Sequence, residues 1–292
     1  MALLDLADDL KRERRRSGVA HSTLLAGRSV ALLFEKPSTR TRVSFHVAVA
    51  ELGGNPLPLS AQELQLGRGE PIADTGAVLS RYVHALVVRT FAHERLVELS
   101  AAASVPVVNA LSDHEHPCQA LADLLTIREH RGELAGMRLS YIGDGNNVAH
   151  SLLLAAGLMG MSVSVGHPPG YGPDPRVVER ARELGGAVLT TEDPVAAVKG
   201  AHVVYTDVWA SMGHEAEQEQ RRQRFARYQV SAELMAWAGP DAIFLHCLPA
   251  HRGQEVTEEV IDGPASRVLE QAENRLHTQK ALLSMLLGAH GS

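Results

Sequence analysis

The densest chemistry in the chain lies in five consecutive residues, Ser38, Thr39, Arg40, Thr41 and Arg42. Hydroxyls and guanidinium forks at the start of a helix, where backbone N–H groups have no intrahelical partner, make an anion site, and phosphate is the anion they fit. The plainer alternative is a capped helix start whose arginines face water. Five such residues in a row, directly after an apolar segment, favour the anion. Arg89 closes another apolar run, Ala85 to Val88. Ligands gather at the carboxyl ends of strands in parallel α/β sheets, so Arg89 can serve the same crevice; a surface arginine is the competing reading. His116 and Gln119 stand three apart on one helix start and face the same way, both able to donate to a carbonyl oxygen or an amide. Asn147 and Asp207 fall at further strand ends, the first suited to a small polar ligand and the second to a ligand ammonium. Cys247 follows the last strand. It reads either as a thiol activated by nearby arginines or as an inert buried one. Gln65 sits in a polar, Gly-rich loop, 62–71, of the kind that reaches into sites, although a plain surface loop reads the same way.

These residues need a scaffold that places strand ends side by side. Ser29–Phe34 reads as a buried parallel strand, stopped by Pro37, with Ser38 as N-cap of a helix from Thr39 to about Leu52. Gly53-Gly54-Asn55-Pro56 closes that helix. Asn55–Ser60 reads as extended, Asp74–Tyr82 as helix, Pro106–Asn109 as strand, and the chain from His116 to His130 as helix. After Leu134–Met137, taken as a linker, the pattern restarts with strands at Leu139–Ile142, Ser162–Gly166, Ala187–Thr190, His202–Thr206 and Ala242–Leu245. The expected fold is therefore α/β, with two domains, each a parallel β-sheet flanked by helices. Residues 1–133 form the first domain and 134–264 the second. A C-terminal helix, 265–292, returns to complete the first.

Composition removes several function classes. The chain has 292 residues, 45% of them hydrophobic and 21% charged, and a net charge of −6, which speaks against a nucleic-acid-binding surface. Its two cysteines, Cys118 and Cys247, make no disulfide framework and fit a reducing compartment. The longest apolar run, between Ser151 and Gly166, is too short to span a membrane and is interrupted by Gly157 and Gly160. The first 18 residues read as a surface amphipathic helix rather than a targeting presequence, since Asp5, Asp8, Asp9 and Glu13 offset the arginines. His114 and His116 have no second cluster at metal-ligand spacing, so no metal is expected. Gly143-Asp144-Gly145 opens like a dinucleotide fingerprint, but Val148 stands at the third glycine position and no clean acid ends the next strand. Glu215–Arg224 reads as a solvated, charged face.

Four motifs, Ser38-Thr39-Arg40-Thr41-Arg42, His116-Pro117-Cys118-Gln119, Asp207 with Ser211-Met212-Gly213, and His246-Cys247-Leu248-Pro249, together resemble the ornithine carbamoyltransferases of the aspartate/ornithine carbamoyltransferase superfamily. The first two are superfamily-wide and the last two select the ornithine branch. The resemblance implies that Ser38, Thr39, Arg40 and Thr41 hold the phosphate of carbamoyl phosphate. It implies that Arg89 spans phosphate and carbonyl, and that His116 and Gln119 bind the carbamoyl group. Arg275 and the backbone at Leu248 complete that pocket. Gln65 reaches a neighbouring subunit's site. Asn147, Asp207, Ser211 and Met212 contact ornithine, and Cys247 lies between the two substrates. It further implies a homotrimer or a multiple of one, a step of the arginine-biosynthesis or urea-cycle type, and no metal or organic cofactor. The N-terminus is shorter than is usual in that family, a departure that bears on packing of the first helix. A cytoplasmic location is the expectation, no targeting signal being read in the sequence. Rival readings are a carbamoyltransferase for another amine, a non-catalytic subunit that kept the fold, and a nicotinamide dehydrogenase.

Overall fold

The structure is a computed structural model that describes residues 1–17, 23–35, 38–60, 69–210 and 218–288. Pro37, Gln65, Ser211, Met212 and Gly213 lie outside the described residues. The chain forms two compact units: Met1–Leu125 with Glu273–Ser292, and Thr126–Ala272.

The first unit contains α1 (Ala2–Ser17), β1 (Ser29–Phe34), α2 (Thr39–Glu51), β2 (Asn55–Ser60), α3 (Ile72–Leu79), β3 (Ala85–Arg89), α4 (His93–Ala102), β4 (Val107–Leu111) and the start of α5 (Pro117–Arg131). Its four strands are all parallel, in the order β2-β1-β3-β4. In β1, Val30, Ala31, Leu32 and Leu33 are buried on both faces, so the run is continuously apolar rather than alternating. Leu32 packs with Phe45 and Val49 of α2 and with Leu283 and Leu287 of the C-terminal helix α12 (Val268–Leu287), while Ala31 and Leu33 pack with Leu96 and Leu99 of α4. Gly53, at φ 81, turns the chain out of α2 in a conformation that favours glycine. In register, Phe34 lies beside Arg89, which brings the exits of β1 and β3 together.

The second unit continues with β5 (Arg138–Ile142), α6 (Asn147–Leu158), β6 (Ser162–Gly166), α7 (Pro175–Glu183), β7 (Ala187–Thr191), α8 (Pro194–Val198), β8 (Val203–Thr206), α9 (Gln218–Phe225), α10 (Ala232–Met235), β9 (Ile243–His246) and α11 (Glu258–Ile261). Its sheet is also parallel, in the order β7-β6-β5-β8-β9. Gly166, Ile142, Thr206 and His246 are register partners in turn, so four loops leave the sheet side by side at its carboxyl edge. Among the described residues, no helix is long and apolar enough to cross a membrane.

The part of α12 that lies in the first unit buries an unusual set of polar groups. Lys11 donates to Asn274 Oδ1 at 2.6 Å, and Lys280 to Glu51 Oε2 at 2.9 Å. Burial pushes the Glu51 carboxyl up, but hydrogen bonds from Lys280 and Arg14 outweigh it and leave the pKa below its ordinary value. His277, 1% exposed, goes the other way. Burial lowers its pKa from 6.5 to about 4, against the pull of Glu273 at 3.5 Å. Between those two pH values the unfolded chain binds a proton at this site that the folded chain refuses. The contribution of His277 to stability is therefore fully present above pH 6.5 and falls by roughly 3 kcal/mol as pH drops to about 4. Denaturation by urea at pH 7.5 and at pH 5 should show this fall, and His277→Gln should flatten it; an equal fall in the variant would assign it to other groups.

Candidate active site

In the first unit the arginines and their partners meet where β1 and β3 end. Ser38, half-buried, caps α2 by accepting the Thr41 N–H at 3.3 Å, while Thr39 and Arg40 are exposed at the helix start and Thr41 is buried. Arg89 is the last residue of β3 and 8% exposed. The pairing with β4 slips between Val88 and Arg89, so that Arg89 faces Leu111, the sort of irregularity that re-aims a side chain. The Glu35 N–H donates to the Arg89 carbonyl at 2.9 Å and fastens the chain leaving β1 to the end of β3.

Arg275 of α12 is the hub. It is 4% exposed and donates through Nη1 to Gln119 Oε1 at 2.7 Å and through Nη2 to Thr41 Oγ1 at 2.9 Å, tying α12 to α5 and α2. Gln119 passes the polarity on, its amide nitrogen donating to Asp123 Oδ1 at 2.8 Å. That fixes the amide orientation: carbonyl towards Arg275, NH2 towards Asp123. A second N–H of Gln119 and the Thr41 hydroxyl proton are further donors in the same place. His116, just before α5, is 6% exposed. Burial, and then the charges of Arg275, Arg89 and Arg40, hold its pKa well below 6.5. It is a neutral imidazole at pH 7, able to donate one N–H. Cys118 is a bystander: burial raises its thiol to about 11, and it donates to the Asn109 carbonyl at 3.3 Å.

In the second unit a carboxylate takes the central place. Asp207 follows β8 and is 6% exposed. Its Oδ2 accepts from Asn146 Nδ2 at 2.9 Å, and its Oδ1 accepts from the Val208 N–H at 2.8 Å and from the Cys247 Sγ–H at 3.0 Å. Asn146 is aimed by its other end. Its Oδ1 caps α6, accepting from the Val148 and Ala149 N–H groups, and also accepts from the Tyr141 hydroxyl at 3.2 Å. Burial, then the charges of Asp207 and Asp144, keep the Tyr141 phenol well above 10, so it remains a donor.

Asp207, His246 and Cys247 offer ligand atoms within 4.8 Å of one another, which would be a metal candidate. Both His246 nitrogens are already engaged, however. Nδ1 accepts the Leu248 N–H at 2.8 Å, which leaves the proton on Nε2 to face Glu255 Oε1 at 3.2 Å. The cluster is better suited to a thiol–carboxylate pair than to an ion. Leu248 itself, at φ 57, is held in the left-handed region by that amide contact.

The family comparisons bear directly on these two groups. Residues 1–129 match the aspartate/ornithine carbamoyltransferase, carbamoyl-P binding domain, and residues 135–286 match the Asp/Orn binding domain of the same family. The chain belongs to the aspartate/ornithine carbamoyltransferase family. The ornithine carbamoyltransferase of Parafrankia sp. (strain EAN1pec) is 61% identical over 290 residues, 98% of this chain and 91% of that protein. Ornithine carbamoyltransferase from Pyrococcus furiosus superposes with a TM-score of 0.95 at 52% identity, covering 99% of this chain and 93% of that one. Anabolic ornithine carbamoyltransferase from Campylobacter jejuni subsp. jejuni gives 0.90 at 39% identity, covering 97% and 93%.

The expected site residues of this carbamoyltransferase-family chain fall into two sets. Ser38, Thr39, Arg40, Thr41, Arg89, His116, Gln119 and Arg275 lie in the first unit, and Asn147, Asp207, Cys247 and Leu248 in the second. Gln65, Ser211 and Met212 lie outside the described residues. Two members were missed from sequence. Asn146, one position before the Asn147 singled out from sequence, donates to Asp207; the N-cap signal of an Asn just before an apolar helix could have found it. Arg221 was assigned to a solvated face, yet it is 6% exposed. The solvated-face reading of Glu215–Arg224 is thus corrected at Arg221, because that side chain finds a carboxylate and two aromatic rings elsewhere in the unit.

Arg275→Lys offers a direct check on the hub. One ammonium cannot span the two acceptors that Nη1 and Nη2 reach, so a buried oxygen is left short of a donor at a cost of about 1–3 kcal/mol. Urea denaturation measures it; unchanged stability would mean the bridge adds nothing to the fold.

Proposed function

We propose that the chain transfers the carbamoyl group of carbamoyl phosphate to the δ-amino group of L-ornithine, giving L-citrulline and phosphate. The observation that carries the mechanism is the neutral, buried His116 under the charges of Arg275, Arg89 and Arg40. That arrangement suits a dianionic phosphate joined to a carbonyl, with cations for the one and a neutral N–H donor for the other. In this reading Ser38, Thr39, Arg40 and Thr41 take the phosphate, and Arg89 spans phosphate and carbonyl. His116 and Gln119, with Arg275 and the backbone at Leu248, take the carbamoyl group. Asp207 takes the ornithine α-ammonium, with Asn147, Ser211 and Met212 beside it, and Cys247 is oriented by Asp207.

The amine must be neutral to attack. A free δ-amino group with a pKa near ~10.4 lies about 3 units from neutrality at pH 7, or ~4 kcal/mol, a cost that a desolvated site lowers. Its lone pair forms the C–N bond, and Arg89, His116 and Thr41 stabilise the oxyanion that results. The C–O bond to phosphate then breaks. The departing phosphate takes the proton that the amine sheds, so no enzyme-bound intermediate is required. Positioning supplies much of the acceleration. The reading also carries a homotrimer or a multiple of it, with Gln65 serving a neighbouring subunit, and a cytoplasmic location. It is supported by the motif set and by family membership.

A colour assay for ureido products tests it, with carbamoyl phosphate and, in parallel, ornithine, putrescine, N-acetylornithine and aspartate. Product with ornithine alone is expected. Product with another acceptor only would overturn the Asp207 and Cys247 half of the reading, and no product with any would leave a non-catalytic member of the family.

A further inference from the structure

Arg221, on α9, ties together the exits of three neighbouring strands. Its Nη1 donates to Asp144 Oδ2 at 2.5 Å, in the loop after β5, and to the Trp209 carbonyl at 2.9 Å, in the loop after β8. Its guanidinium lies 5.0 Å over the Tyr171 ring, in the loop after β6, and 6.0 Å from the Phe225 ring. Tyr171 is itself fastened to the loop after β5, its carbonyl accepting the Gly145 N–H at 2.8 Å. A side chain at Gly145 would strike the Pro173 backbone, so the two loops are in intimate contact. Tyr171 and Trp209 both pack on Phe225, at 4.8 Å and 6.0 Å between ring centres.

Asp144 precedes Asn146 by two residues and Trp209 follows Asp207 by two. Each end of the Asn146–Asp207 hydrogen bond therefore stands two residues along the chain from a point that Arg221 pins. We infer that Arg221 is a positioning residue for amino-acid substrate binding: by holding Asp144 and the Trp209 carbonyl at once, it sets the placement of Asp207 and Asn146 against the substrate ammonium. The inference rests on the proposed role of Asp207. A buried guanidinium is costly unless fully engaged, and this one is engaged by a carboxylate, a carbonyl and two ring faces. Asp144, Trp209, Tyr171 and Phe225 all belong to the second unit, whereas the residues that take carbamoyl phosphate in the reading above belong mainly to the first. The effect of losing it is accordingly selective for one substrate.

The test is steady-state kinetics of the full-length enzyme carrying Arg221→Gln, Arg221→Lys, Asp144→Asn and, as a control on the same helix, the exposed Arg222→Gln. Arg221→Gln should raise the KM for ornithine about tenfold or more while the KM for carbamoyl phosphate stays within about twofold. Arg221→Lys, whose single ammonium can still reach both oxygens, should recover a large part of the loss. Asp144→Asn should shift the ornithine KM in the same direction, and Arg222→Gln should shift neither. A merely structural role would move both KM values together or lower only the amount of active enzyme. Either result overturns the inference, as does an ornithine KM within about twofold of the parent in Arg221→Gln. Should that variant fail to fold, Asp144→Asn decides by the same criterion, since it removes the charge that Arg221 Nη1 holds. Failure of the underlying reading shows separately, in the parent enzyme: it would then carbamoylate another acceptor, and the comparison is made on that acceptor.

Discussion

A buried guanidinium cannot shed its charge, so it must find acceptors wherever the fold puts it. Arg275 meets that constraint by reaching Gln119 and Thr41 from α12, and in doing so it fixes three helices relative to one another. The rest of the first unit is consistent with this one fact. The Thr41 and Gln119 side chains are buried because they serve it, and His116 is neutral because burial and the neighbouring arginines deny it a proton. The bulge at Arg89 and the Glu35 amide contact bring a further cation to the same strand ends. Cationic charge concentrated there, beside a neutral donor, is a field suited to phosphate and to developing negative charge on oxygen.

The second unit solves the complementary problem. Asp207 is a buried carboxylate given three donors, two of them side chains, and one of these, Asn146, has its own orientation fixed from behind. Asn146 is locked by the helix it caps and by Tyr141, and Cys247 sits next to a histidine whose two nitrogens are both occupied. The Asn146 contact to Asp207 is thus backed by a second layer, which keeps that donor aimed at the carboxylate. The two units divide the chemistry by sign, arginines in one and a carboxylate in the other, as an anionic donor and an ammonium-bearing acceptor require.

Much of this was legible in the sequence, for physical reasons that differ by element. Ser29–Phe34 was found to the residue because a strand buried on both faces must be apolar throughout. Val203–Thr206 and Ile243–His246 came within a residue at either end for the same reason. The Ser38 cap followed from its residue type just before the helix, and the place of Arg89 at the end of β3 from strand-end logic, whereas its burial was left open against a surface reading. What was not legible depended on partners distant along the chain. Arg221 sits in a run of charges that any periodicity argument assigns to water; its burial is decided by Asp144, 77 residues away. Of the polar side chains of α12 only Arg275 was singled out, through the family resemblance, yet Asn274 and Lys280 are also almost fully buried, because Lys11 and Glu51 await them. Asn146 and Asn147 are alike in type and adjacent, and the point at which α6 starts, Asn147, decides that Asn146 caps the helix and donates to Asp207.

The central claim, that the first unit builds a cationic site around a neutral imidazole, is open to one direct measurement. Long-range proton–nitrogen NMR of the histidine side chains, with His116 assigned by comparison with His116→Asn, reports the protonation state of that ring as pH is lowered. The account predicts that His116 keeps the neutral, single-proton signature through pH 6.5 and below, where an ordinary histidine is half protonated. Half-protonation of His116 at pH 6.5 or above would contradict it, and would mean that the ring is solvated or paired with an acid rather than ringed by arginines.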